Sequence, residues 1–341
     1  HNDDVNGYWM CDIGRFGYHW VESDQRLKKP MVRGGQGLQP TTWDAVLPAL
    51  RDKLGAAGAS NPDGVRFLLS AHASVEELFL FRRLTEELLG ASGPAAISVG
   101  WRVTEKLQPA KTQFVVPQVD APNVNGARLL GMAPGASGSP QGPADLSALR
   151  QDVAAGRVSA LYVYDPGFAG SLGDVQWILD ARANGTLPLL IVQGVLLTPL
   201  AEAADIVLPG ASSLEKQASY VNDQGRLQGS SRALPLQGDA REDWQLITTL
   251  ANTLGLSFGY GNDTAVREDI AGRFATIDTL AGIAGTTFAA PVSARTWLEA
   301  SNPSERWKWD FMYQDLPPVK GAVDPSSLPP TPLAIPLRVV K

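Results

Sequence analysis

The chain has 341 residues, 44% hydrophobic and 19% charged, and carries a net charge of −6. That length exceeds one hydrophobic core and calls for two or more subdomains in a soluble globular protein. The negative charge, with no basic cluster interleaved with aromatics, excludes non-specific nucleic-acid binding.

The longest apolar run, LPLLIVQGVLL at 187–197, is too short to span a bilayer and is interrupted by Pro and Gln, so no direct membrane insertion is expected. The sequence opens on His rather than Met, so a processed or truncated N-terminus is expected, and no leader pattern at its start predicts secretion. Its one cysteine, Cys11, cannot form an intrachain disulfide, nor hold a zinc ion or an iron–sulfur cluster unaided. A single thiol favours a reducing compartment.

In chain order, residues 1–40 are polar and Gly-rich and lead into a turn-rich GGQGLQP. TTWDAVLPALRDKLGAAG then predicts a helix capped by Thr42, with Trp43, Val46, Leu47, Leu50 and Leu54 on one face and Pro48 disturbing its first turn. VRFLLSAHAS (65–74) reads as a buried parallel strand, and SVEELFLFRRLTEELLG (74–90) as an amphipathic helix with a Ser cap and glutamates in its first turn. Strand, turn and helix in that order form the βα unit of a doubly wound sheet. Residues 91–146, rich in Gly, Pro, Ala and Asn, read as a long irregular connection. A helix over 145–156, a strand at 158–164, a helix over 171–185, a strand at 187–193, a short helix over 197–204 and a strand at 205–210 follow. From 211 to 239 no apolar period is sustained, and AREDWQLITTLANTLG (240–255) restores a helix. The Pro-punctuated end, 317–341, predicts an extended tail.

The chemistry-bearing groups are few. DPGFAGSLGDVQ follows a strand, as a dinucleotide loop would, but lacks G-x-G-x-x-G spacing; a phosphate there would meet the amides opening the helix at 171. His72 lies just past a strand's carboxyl end, where α/β sites form, but a satisfied turn or core histidine is the favoured reading. Neither a G-x-S-x-G elbow nor a Walker A motif is present. EKQASYVNDQGRLQ (215–228) reads as a structural loop: Gly225 is ready for positive φ, and Glu215, Asn222 and Arg226 satisfy backbone groups.

Two segments go beyond composition. ADIVLPG, then EKQASYVNDQGRLQ, then GDAREDW (204–244) resemble the molybdopterin oxidoreductase superfamily, and more narrowly the large peripheral-arm subunit of respiratory NADH:quinone oxidoreductase (complex I). The opening HNDDVNGYWMCDIGRFGYHWVESDQRLKKPMVR (1–33) is similar to the segment that leaves that subunit's iron–sulfur region. The resemblance implies an α/β fold of doubly wound parallel sheets with helices on both faces, an irregular N-terminal segment and a Pro-rich tail. It implies four regions: 1–40 following an iron–sulfur region, α/β subdomains at 41–144 and 145–255, and an extension at 256–341. It further implies a non-catalytic scaffold that supports electron transfer from NADH to quinone, with other peripheral-arm subunits as partners in a hetero-oligomer. The implied location is the cytoplasmic side of the bacterial inner membrane. Cys11 matches the fourth ligand of a [4Fe–4S] cluster whose other three cysteines are not in this chain, so no metal is expected on this chain alone. Molybdopterin is not expected either, since no cysteine lies in the sheet region and Ser70 or Ser74 could ligate only through oxygen.

Two other readings stay open. One is a catalytic oxidoreductase carrying molybdenum or tungsten on a bis-pterin and acting on a small substrate such as formate or nitrate. The other is a binding module that captures a nucleotide phosphate on DPGFAGSLGD. The aromatic segment SERWKWDFMYQD, with Trp307, Trp309, Phe311 and Tyr313, suits either an interface or local packing.

Overall fold

A hairpin opens the architecture. Strands β1 (Met31–Gly34) and β2 (Gly37–Pro40) pair antiparallel, and β1 also pairs antiparallel with a strand from much later in the chain. The computed structural model describes residues 16–107, 117–135 and 142–288, which belong to one compact unit. Cys11, the aromatic segment at 304–315 and the Pro-rich tail lie outside the described residues.

Helix α1 (Trp43–Ser60) follows and runs straight through Pro48. Thr42 holds the extended N-cap conformation but makes no side-chain cap bond. Burial of Trp43, Val46, Leu50 and Leu54 on one face stabilises the helix past the proline. Then come β3 (Val65–Ser70), α2 (Val75–Leu89), β4 (Ile97–Gly100), α3 (Val124–Leu129) and α4 (Ser147–Ala154). The alternation continues with β5 (Ala160–Asp165), α5 (Gln176–Ala183), β6 (Leu189–Gly194), α6 (Pro199–Ala203) and β7 (Ile206–Pro209). A second hairpin, β8 (Ala218–Val221) and β9 (Leu227–Ser230), precedes α7 (Asp243–Thr253), α8 (Asp263–Arg273) and α9 (Asp278–Ala281).

Seven strands form one sheet in the order β2-β1-β7-β6-β5-β3-β4, parallel from β7 to β4. Strands from 41–144 and from 145–255 therefore share a sheet, with the β1–β2 hairpin as an antiparallel edge, a common finish for parallel sheets. Alternate residues feed two cores, as the two-residue period of a strand requires. Phe67, Leu69, Tyr162, Tyr164 and Ile191 pack with α1, α2, α3, α7, α8 and α9. Leu68, Leu161, Val163, Leu190 and Val192 pack with α4, α5 and α6 on the opposite face. The molecule is thus an α/β protein with a parallel-dominated sheet covered by helices on both faces.

Several elements differ from the sequence reading. β4 and α3 lie inside the stretch read as irregular, because ISVG is too short to show a period. The hairpin β8–β9 lies in the stretch read as aperiodic. Its buried positions are partly polar: Ser219 packs in the core by bonding to a carboxylate rather than by being apolar. Its turn is built by Asn222, whose Oδ1 accepts the N–H groups of Gln224 and Arg226 at 3.0 and 2.9 Å, with Gly225 at φ +78°. A glycine in that left-handed position suits a three-residue hairpin loop.

No helix among the described residues is long and apolar enough to cross a membrane.

Helix α2 starts with a reciprocal cap. Glu77 N–H donates to Ser74 Oγ at 3.2 Å, and Ser74 N–H donates to Glu77 Oε2 at 2.8 Å. Replacing Ser74 by Ala is expected to lower stability by about 1–2 kcal/mol, at the upper end of cap values because the site is buried. Urea unfolding followed by circular dichroism measures it.

Candidate functional site

The strand order places a topological switch point. From β3 the chain moves outward to β4, and the next strand, β5, lies on the other side of β3. The loops leaving β3 and β5 consequently part, and a crevice opens at the strands' carboxyl ends, where open α/β sheets bind ligands.

Asp165 ends β5 and His72 follows β3. The Asp165 carboxylate accepts bonds from the Ser171 hydroxyl and from Gly167 N–H at 3.1 Å. His72 Nε2 lies 2.8 Å from the carbonyl of Asp120, which can only accept, so the ring carries its proton on Nε2. Burial lowers the His72 pKa against the pull of Asp165, and burial raises that of Asp165 against its bond from Ser171 and the charge of His72. In each group burial disfavours the charged form while the opposite charge of the other favours it. Gly167 permits this close arrangement: a Cβ there would lie 2.6 Å from Ser171 Cβ and 2.9 Å from His72 Cγ. Phe168 stands edge-on to the His72 ring at 5.2 Å, and the Arg102 guanidinium covers its ring at 4.8 Å.

Beside this pair is a cavity of about 480 Å³, lined in part by Trp101, Arg102, Leu146, Arg150, Leu172 and Gly173. Its two cations are held by carboxylates, Arg102 by Asp120 at 3.0 Å and Arg150 by Asp174 at 3.1 Å, and both remain partly open to solvent. Asp120 also binds Lys106 and the Thr104 hydroxyl. Burial works upward on the Asp120 carboxyl, but the bonds from Lys106, Thr104 and Arg102 outweigh it and hold it below the usual carboxylate range.

The helix expected to open at 171 begins at Gln176 instead, and its first N–H is already bonded to Asp174 Oδ1 at 3.0 Å. An anion at that terminus would meet a carboxylate first. Ser70 is fully buried and accepts from His72 N–H, and Ser74 caps α2. Among the described residues there is no group of three or more His, Cys, Asp or Glu able to hold a metal ion.

The loop residues Glu215, Asn222, Gly225 and Arg226 lie away from this crevice. Glu215 is buried, pairs with Arg26 at 2.8 Å and accepts Ser212 N–H at 2.8 Å. Asn222 and Gly225 shape the hairpin turn, and Arg226 contributes its backbone N–H and C=O to Asn222. Next to Glu215, Lys216 is 2% exposed and donates to Glu77 Oε1 at 2.5 Å, Asp243 Oδ2 at 3.0 Å and Tyr164 Oη at 3.3 Å. Burial opposes its charge, but Asp243 and Glu77 outweigh that and hold the ammonium above its ordinary range. A second knot joins Glu76 to Arg267 at 3.2 Å and to Ser219.

Sequence reasoning missed Lys216, Asp243, Asp165, Arg102 and Arg150. Lys216 and Asp243 look like surface charges in EKQAS and AREDW, and only their convergence on Glu77 reveals them. Asp165 had a readable signal, an acidic residue closing an apolar strand before Pro-Gly.

The fold defines an α/β protein with a doubly wound, parallel-dominated sheet. The model of the molybdopterin oxidoreductase family matches residues 26–107 and 147–253, and the chain belongs to that family. It is 32% identical over 122 residues to "Putative formate dehydrogenase YrhE" of Bacillus subtilis (strain 168), a match covering 34% of this chain and 12% of that protein. A like-named protein of Staphylococcus aureus (strain USA300) matches at the same identity and coverage. The acetylene hydratase from Pelobacter acetylenicus aligns with a TM-score of 0.48 and 13% identity, over 81% of this chain and 68% of that one.

These findings correct the narrower resemblance. The relatives carry the name "Putative formate dehydrogenase", and nothing ties the chain to the large peripheral-arm subunit of complex I or to NADH oxidation. The reading as a non-catalytic scaffold of that complex is overturned with it. The physical reason lies in the motifs: ADIVLPG is an inner strand, and EKQASY and AREDW supply the buried ion knots. They report the fold, and folds host many functions.

Lys216→Met leaves two buried carboxylates without their cation and is expected to cost about 3–5 kcal/mol in urea unfolding. The triple variant K216M/E77Q/D243N should recover part of that loss. Asp120, depressed in the folded state, contributes stability above its unfolded pKa of about 3.9 that is lost as pH falls through the folded value. Thermal melts between about pH 7 and pH 2 should show that loss in the native chain and a flatter dependence in D120N.

Proposed function

We propose that this chain is part of a catalytic molybdopterin-dependent oxidoreductase of the formate dehydrogenase type. In this reading its switch-point crevice holds the anionic end of a pterin dinucleotide. The observation that carries it is the crevice itself. Arg102 and Arg150 stand at the edge of a cavity of about 480 Å³, beside a glycine loop whose backbone can approach a ligand closely. Guanidinium groups recognise phosphates by paired, charge-assisted hydrogen bonds.

The donor set suits the dinucleotide but not the metal. The described residues include no cysteine, and the hydroxyls of Ser70 and Ser74 are engaged in buried hydrogen bonds. A metal ligand is therefore not assigned to them. When bound, the cofactor supplies the two-electron redox chemistry. The residues of this chain bind and orient it: the arginines take the phosphates, and Phe168 under Arg102 supports the guanidinium. Formate is the favoured substrate, because the relatives sharing 32% identity carry its name.

The test uses the full protein. Metal analysis and oxidative release of the pterin are expected to find molybdenum or tungsten together with a pterin dinucleotide, alongside dye-linked formate oxidation. R102Q and R150Q each remove a charged hydrogen-bond donor worth about 1.5–3 kcal/mol, so each should weaken cofactor retention about tenfold or more. A protein free of pterin, or retention unchanged in both variants, overturns the proposal.

A further inference from the structure

The motif AREDW builds more than the buried knot. Asp243 points into the core, but Arg241, two residues earlier, faces a surface groove of about 390 Å³ lined by Leu236, Trp244, Gln245, Thr248 and Tyr260. That volume lies within the usual range of small-molecule sites.

Arg241 is unusual here. Its guanidinium lies 4.5 Å from the centre of the Trp43 ring, and among the described residues it forms no ion pair and no side-chain hydrogen bond. Neighbouring carboxylates do not pair with it: Glu242 binds Arg232 and Trp244 Nε1, Asp243 binds Lys216 and Gln193, and the exposed Asp239, two residues earlier, forms no ion pair with it. Tyr260, on the groove wall, is likewise balanced, its hydroxyl donating to Asp269 at 2.5 Å and accepting from Arg83 at 2.7 Å. The groove therefore keeps one unneutralised positive charge beside two aromatic rings.

The floor adds a second observation. Of the three threonines of α7, Thr249 and Thr253 donate to the carbonyls of Gln245 and Thr249 one turn earlier, at 2.7 and 2.8 Å. The buried Thr248 hydroxyl finds no partner. A buried hydroxyl left unbonded is costly in a closed core, and in the floor of an open groove it marks a donor for an occupant.

We propose that this groove is a second ligand site, separate from the switch-point crevice, for a small organic anion with a flat aromatic body. Its carboxylate or phosphate sits on Arg241, and its ring lies against Trp244 and Tyr260. Charge complementarity selects the occupant: an apolar ligand leaves Arg241 unneutralised, and an inorganic anion leaves the rings uncovered.

The probes are phenyl phosphate and benzoate, with benzyl alcohol as the neutral control and inorganic phosphate as the ringless one. Calorimetry on the full chain is expected to show saturable binding of phenyl phosphate in the sub-millimolar to millimolar range, and at least about tenfold weaker binding of both controls. R241Q should reduce the affinity about tenfold, R241K should restore much of it, and T248V should weaken it severalfold without loss of charge. Circular dichroism melts of the three variants, expected near that of the native chain, separate lost binding from lost folding. Absence of binding in the millimolar range, equal binding of benzyl alcohol, or affinity unchanged in R241Q overturns the proposal.

Discussion

The structure depends on one buried ammonium. Lys216 sits where the N-terminal turn of α2, the strand β5 and the N-terminus of α7 converge, and its donors are shared among Glu77, Asp243 and Tyr164. Two carboxylates on one cation leave the knot short of positive charge, and dipoles offset the difference. Asp243 also accepts Gln193 Nε2 at 2.7 Å and Ala211 N–H at 3.2 Å, and Glu77 accepts Ser74 N–H. Such a cluster adds little net stability over an apolar core but strongly penalises any packing that separates its members. It therefore works as a registration device: α2 and α7 have one relative placement that satisfies all three ions.

That constraint reaches the candidate site through a short piece of backbone. His72 and Ser74 belong to the turn that joins β3 to α2 and Glu77 to the first turn of α2, so the carboxylate locked by Lys216 also holds the cap of the helix that follows His72. Asn123 ties the same turn from the other side, donating to Ala73 C=O at 2.8 Å and accepting Val221 N–H at 2.8 Å. The crevice floor is thus fixed from below by ions and from the flank by an amide. Only its rim, with Arg102 and Arg150 partly exposed, is free to adjust to a ligand.

The sequence displayed the parts of this that are apolar. β3, β5 and β6 are continuous hydrophobic runs, because both their faces are covered, and α2 shows its helical period and cap directly. What escaped was polar burial. Ser219, Lys216, Glu76 and Glu77 are all nearly inaccessible, and a one-dimensional reading assigns such residues to solvent because their partners are remote in sequence. Arg267 and Glu76 are 191 positions apart, Arg26 and Glu215 189. The site was half legible: the position of His72 past a strand end could be read, whereas its neighbours Asp165, Asp120 and Arg102 come together only through the parallel pairing of β3 with β4 and β5.

The same fact explains how a motif can identify a fold and mislead about a function. The spacing of ADIVLPG, EKQASY and AREDW records which residues meet in the core of this chain, and a core contact does not specify the reaction a fold serves. Function has to be sought where the core constraint is absent, in the loops leaving β3, β4 and β5 and on the outer face of α7. The AREDW segment contains both situations within five residues. Asp243 is committed to the knot, with every oxygen bonded, and carries no freedom to vary. Among the described residues, the Arg241 side chain is held by its ring stack on Trp43 alone.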